Sequence, residues 1–115
     1  MGTIAVETAL GAPPDEVGME LIRLPEDQWF ERKSSRIAPR DLANVLIGFA
    51  NADGGIVVVG LSDGTVEGAS GNPNRRNAQL QANIDFCTPP VRAKPRMIAC
   101  IDSDGEANEL LVIEV

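Results

Sequence analysis

Residues 42–60 constrain this chain more than any other stretch, because a helix stripe, a stop and a buried strand follow one another with nothing between them. Leu42, Val45, Leu46 and Phe49 recur at i, i+3, i+4 and i+7, the spacing that lines one face of a helix, and Ile47 and Ala50 widen it. Pro39 suits the first helical position. Asn51-Ala52-Asp53-Gly54-Gly55 then ends the helix: the glycines supply a left-handed cap and a close backbone turn, leaving Asn51 to bond loop amides. Ile56-Val57-Val58-Val59 is an unbroken β-branched run, the mark of a strand buried on both faces, and Gly60 marks a close approach by a neighbour. Such a strand belongs at the centre of a sheet covered by helices. The same glycines do not make a phosphate loop, which precedes a helix and ends in Gly-Lys-Ser/Thr, so the sequence argues against ATP binding.

At 115 residues there is room for one core, and with only 3% aromatic residues its volume must come from Val, Ile, Leu and Ala. The expected fold is a single α+β domain, with a mixed, mostly antiparallel sheet and about three helices. Residues 1–12 read as a loosely ordered leader with room for a short strand at 3–6, and residues 13–115 as the folded domain. Asp15 and Glu16 open a first helix, whose face is Val17, Leu21 and Leu24. A rim strand over 28–34 sets Trp29, Glu31 and Lys33 on one face and Phe30 and Arg32 on the other. Asp63-Gly64 is hairpin chemistry, returning residues 65–68 antiparallel to the central strand. A third helix is expected over 76–86, then strands at 96–101 and 109–115 around the polar turn Asp102-Ser103-Asp104-Gly105. That last apolar strand runs uncapped to Val115, which suggests the N-terminal part of a longer protein.

Several function classes drop out on composition. No apolar run approaches the ~18 residues of a membrane span and no positively charged leader precedes one, so a cytoplasmic protein without membrane partners is expected. The absence of histidine removes His-based acid–base catalysis and His-paired nucleophiles, and Cys87 and Cys100 read as buried reduced thiols. A formal net charge of -7 argues against coating nucleic acid by bulk electrostatics. The distribution is uneven, however. Arg32, Lys33, Arg36 and Arg40 share residues 32–40 with no acid, and Arg75, Arg76, Arg92, Lys94 and Arg96 share residues 71–100 with Asp85 alone. A local basic face capable of phosphate contacts, with Arg32, Lys33, Arg36, Arg40, Arg75 and Arg76 as its candidates, can therefore sit on an acidic domain. Glu31 and Lys33 place a carboxylate beside an ammonium, and Asp63 and Glu26 could bring further carboxylates close. Clustered carboxylates with a lysine suit Mg²⁺ or Mn²⁺ held on a scissile phosphate, although Glu-x-Lys is also an ordinary surface ion pair and Asp63 an ordinary turn residue.

Three blocks carry a family likeness: Glu26-x-x-x-x-Glu31-x-Lys33, then Phe49-Ala50-Asn51-Ala52-Asp53-Gly54-Gly55, then residues 57–64 with Val66-Glu67-Gly68 behind them. Together they resemble the Schlafen AlbA-type domain, also described as the DNA-binding or divergent AAA domain of bacterial transcriptional regulators. The resemblance implies an α+β fold with a mixed sheet, a DNA or RNA partner, and a helix-turn-helix region downstream in longer relatives. In relatives that cut RNA, three acids form the active site, and the motif carries them onto Glu26, Glu31 and Asp63. Where the family has Glu-aromatic-Lys, this chain has Glu31-Arg32-Lys33. Three readings stand at this point: a nucleic-acid-binding domain, a metal-dependent nuclease, and a module that homodimerises through a sheet edge.

Overall fold

The computed structural model describes residues 2–115. In chain order the elements are α1 Ile4–Leu10, α2 Pro14–Arg23, β1 Phe30–Lys33, α3 Pro39–Ala50, β2 Ile56–Val59, β3 Leu61–Ser62, β4 Thr65–Val66, α4 Pro73–Leu80, α5 Ala82–Asp85, β5 Lys94–Ile101 and β6 Ala107–Glu114. The main sheet has the order β1-β2-β6-β5. β1 runs parallel to β2, with Phe30 opposite Ile56, and β6 is antiparallel to both β2 and β5. It is the mixed, mostly antiparallel sheet of an α+β domain, with β2 inside it and β1 at its rim.

Alternation along the strands divides the interior into two cores, one on each face of the sheet. Phe30, Ile56, Val58, Leu110 and Val112 point one way, toward Val6 and Ala9 of α1, Val17 and Leu21 of α2, and Leu61 and Val66 of the β3-β4 hairpin. Val57, Val59, Leu111 and Ile113 point the other way, beneath Leu42, Leu46 and Phe49 of α3 and Ala82 of α5. Both faces are covered, which is why β2 is apolar at every position and buried throughout.

The helix-to-strand turn uses its two glycines differently. Asn51 stays right-handed at φ -82°, and its backbone N–H closes the helix on Ile47 O at 2.9 Å. The left-handed residue is Gly54, at φ 86°, whose N–H reaches Phe49 O at 3.0 Å. Gly55 is needed for space: a Cβ there would lie 2.4 Å from the Phe49 ring. The turn is then tied to the sheet, Val115 N–H donating to Gly55 O at 2.9 Å.

Three local expectations are corrected. Residues 4–10 form α1, not a loose leader or a strand, because Val6 and Ala9 fall three apart on one helical face and bury against the first core. The third helix starts earlier and breaks: Asn72 Oδ1 accepts from Arg75 N–H at 3.0 Å as an N-cap ahead of Pro73, and Gln81 separates α4 from α5. The hairpin pairs β3 with β4 in a sheet of its own, since Gly60, at φ 119°, bends the chain out of β2 before Leu61. Asp63 and Gly64 sit at φ 51° and 77°, the two positive values that a two-residue turn of this hand demands. No helix among the described residues is long and apolar enough to cross a membrane.

Candidate functional site

The parallel pair β1 and β2 ends in two adjoining clefts, the place where sheets with parallel strands offer their loops to ligands. The chain leaving β1 runs through both. Ser34 lines the first, of about 430 Å³, and Ser35 and Arg36 line the second, of about 260 Å³. Glu67, just beyond β4, holds this turn in shape by accepting from Ser35 N–H at 2.9 Å and from Ser34 Oγ at 3.3 Å, with Arg36 3.8 Å from the same carboxylate.

Glu26, Lys33 and Asp63 line the first cleft, and Glu31 does not. Glu31 and Lys33 belong to the same face of β1, but Lys33 is its last residue and reaches the cleft at the strand's end, whereas Glu31 stays beneath α3. Glu31 shares a hollow with Asn44, Val45 and Gly48 of α3, while Asp63 belongs to the hairpin whose Leu61 and Val66 pack on the opposite face of the sheet. Glu31 Oε2 is shielded from solvent without a hydrogen bond among the described residues, with the Lys33 ammonium 3.4 Å away. Glu26 in turn accepts from Arg32 N–H at 2.7 Å, which braces the start of β1. Among the described residues no three acidic, histidine or cysteine side chains gather closely enough to hold a metal ion. The triad Glu26, Glu31 and Asp63 thus does not fit Mg²⁺ or Mn²⁺ as one ligand set in this geometry; two of its members share a cleft and the third faces away.

The arginines part company in the same manner. Arg32 lies on the side of the first core, its guanidinium 5.4 Å from the Phe30 ring and donating to Leu21 O and Leu24 O, so it caps the end of α2. Arg36, Arg75 and Arg76 meet in the second cleft, with Ser35, Asn72, Gln79 and Asn108 around them. Gln79 closes its floor by donating to Ser35 O at 3.0 Å and Ile37 O at 2.9 Å, which clamps α4 onto the turn before α3. Arg76 lies 3.8 Å from Glu109, and the Arg75 guanidinium is in no ion pair among the described residues. Opposite, Asn108 accepts from Ser70 N–H at 3.1 Å and donates to Asp102 at 3.0 Å, joining the cleft wall to the β5-β6 turn.

A family model described as Schlafen, AlbA_2 matches residues 26–115. The chain belongs to that family. No curated protein matches it at a significant level. The matched region of this Schlafen, AlbA_2 domain holds both clefts apart from Ile22, and leaves α1 and α2 outside.

Reading this family's motif along the chain leaves some of the site unseen. Ser35, Asn72 and Asn108 join the second cleft only through folding, although Asn72 ahead of Pro73 is a visible N-cap signal. Arg40 is not in that cleft; its guanidinium lies 5.2 Å from the Phe86 ring.

Proposed function

We propose that this Schlafen, AlbA_2 domain binds a nucleic-acid strand, DNA or RNA, through phosphate contacts in the second cleft, and that it serves as the binding part of a longer regulator of transcription. The observation that carries this reading is the convergence of Arg36, Arg75 and Arg76 on one cleft from both basic stretches of an otherwise acidic chain. Arginine guanidinium groups present paired donors suited to phosphate oxygens. Asn72, the N-cap of α4, brings the positive end of that helix to the same wall. Family membership supports a nucleic-acid-related role of this kind.

Binding of labelled single-stranded and duplex oligonucleotides, followed by fluorescence anisotropy across a salt series, tests it. Wild-type protein is expected to bind more weakly as salt rises. The Arg36→Ala/Arg75→Ala double variant should lose affinity for all sequences alike, with a log–log salt slope reduced by roughly 0.7–0.9 per lost phosphate contact. Equal affinity of this variant and the wild type would refute the cleft assignment. Cleavage of the strand that needs Mn²⁺ and disappears in Asp63→Asn would instead place a nuclease at the cleft of Glu26 and Asp63.

A further inference from the structure

Beside the arginine cleft the surface carries an apolar feature that packing does not account for. The break at Gln81 turns Ala82 into the second core, and the short α5 then directs Ile84 and Phe86 outward, 55% and 41% exposed. Phe86 is the one aromatic residue of the chain exposed to that degree. Arg40 flanks it at 5.2 Å from the ring centre, one end of the guanidinium's environment being aromatic and the other solvent. Arg40 is the second residue of α3, and Arg36 lies on the turn that leads into the same helix. At most ~14 Å of backbone separates the two positions, even fully extended. Both α4, which carries Arg75 and Arg76, and α5, which leads into Phe86, pack against α3.

We propose that Phe86, with Ile84 beside it and Arg40 against its ring, is a stacking platform for an unpaired base of the strand whose phosphates occupy the neighbouring cleft. The inference rests on the nucleic-acid reading above and deepens it to single strands. An exposed ring flanked by a guanidinium offers a base one aromatic face and one cationic plane, and base–aromatic stacking tolerates any sequence because every base has a π-face. A duplex keeps its bases stacked inside and cannot use such a platform. Arg40 selects this occupant over a protein partner, since its guanidinium against the exposed ring, four residues after Arg36 of the phosphate cleft, sets a cationic plane where the base of an anionic strand would stack.

The test compares wild type, Phe86→Ala and Phe86→Trp against a single-stranded oligonucleotide, its duplex, and an abasic strand of equal length, each across a salt series. Wild type should prefer the single strand to the duplex. Phe86→Ala should weaken single-strand binding on the order of 10-fold with the salt slope unchanged, and leave the abasic strand's affinity as it was. Phe86→Trp, which keeps the ring, should bind the single strand at least as tightly as wild type, and this arm stands even where the alanine variant folds poorly. The platform is refuted if Phe86→Ala binds the single strand like wild type, or weakens normal and abasic strands equally. In either case salt-dependent binding lost in the Arg36→Ala/Arg75→Ala variant leaves the phosphate cleft in place, whereas absence of any binding by wild type refutes both. A change of oligomeric state in Phe86→Ala, with strand affinity untouched, would assign the patch to a second copy of the chain and overturn the proposal.

Discussion

Single residues here carry opposite pH signatures at one end of the β5-β6 hairpin. Burial pushes the Cys100 thiol up to about 11 from an ordinary 9.0, and the charges of Asp102 and Glu109 push in the same direction. A raised thiol value means that the folded state holds the proton more tightly than the unfolded one. The associated stability is complete below about pH 9 and is lost as pH rises through about 11. Asp102 is held below the ordinary carboxylate range, first by the Asn108 side chain and then by the backbone N–H groups of Glu106 and Asp104. Its contribution is present at neutral pH and is lost as pH falls through that lowered value. Thermal melts are expected to show the midpoint dropping between pH 9 and 11, with a smaller drop in Cys100→Val, which fills similar space without an ionisable group. An identical drop in that variant would mean that other groups govern the alkaline limit. In native protein at neutral pH, Cys100 should also resist alkylation, being both buried and protonated.

Among the elements, the run from α3 through Gly55 into β2 is closely tied by backbone hydrogen bonds and by the approach of Phe49 to Gly55, and it invites a paired prediction. Gly48 is exposed within α3, and a Cβ there would meet nothing within 4 Å, so Gly48→Ala should stabilise the protein by ~0.5–1 kcal/mol through helix propensity alone. Gly55→Ala should destabilise it by about 1–3 kcal/mol, because the Phe49 ring lies 2.4 Å from the new methyl position and its neighbours leave little room to yield. Urea denaturation of both variants measures the two signs, and a neutral Gly55→Ala would show that the ring can move aside. α3, β2, β5 and β6 were legible from sequence, since a stripe such as Leu42, Val45, Leu46, Phe49 or a run such as Ile56 to Val59 encodes its own partner surface. α1 and the start of α4 were less so. α1 has only Val6 and Ala9 to bury and gains its reason to be helical from α2 alongside it.

For the whole molecule, the open edges of the sheet decide whether copies associate. β1 and β5 are the outer strands, and β5 begins with Lys94, Pro95 and Arg96, a charged and proline-blocked stretch of the sort that discourages pairing between chains. The domain is accordingly expected to stay monomeric in light scattering at working concentrations. A dimer that persists on dilution would show that the remainder of β5 pairs with a second copy. By itself the sequence determined the fold class, the inner strand, the hairpin turn and the two basic stretches, because each depends on residues close together in the chain. Only the tertiary structure decided which charges share a surface. Strand alternation sends Glu31 to the α3 side while Asp63 sits on the hairpin packed against the other side, and Arg32 turns back to cap α2. Packing of α4 on the turn before α3 gathers Arg36, Arg75 and Arg76, and the break at Gln81 leaves Phe86 facing solvent beside Arg40. Such groupings are long-range consequences of layer packing, and no local pattern of residues encodes them.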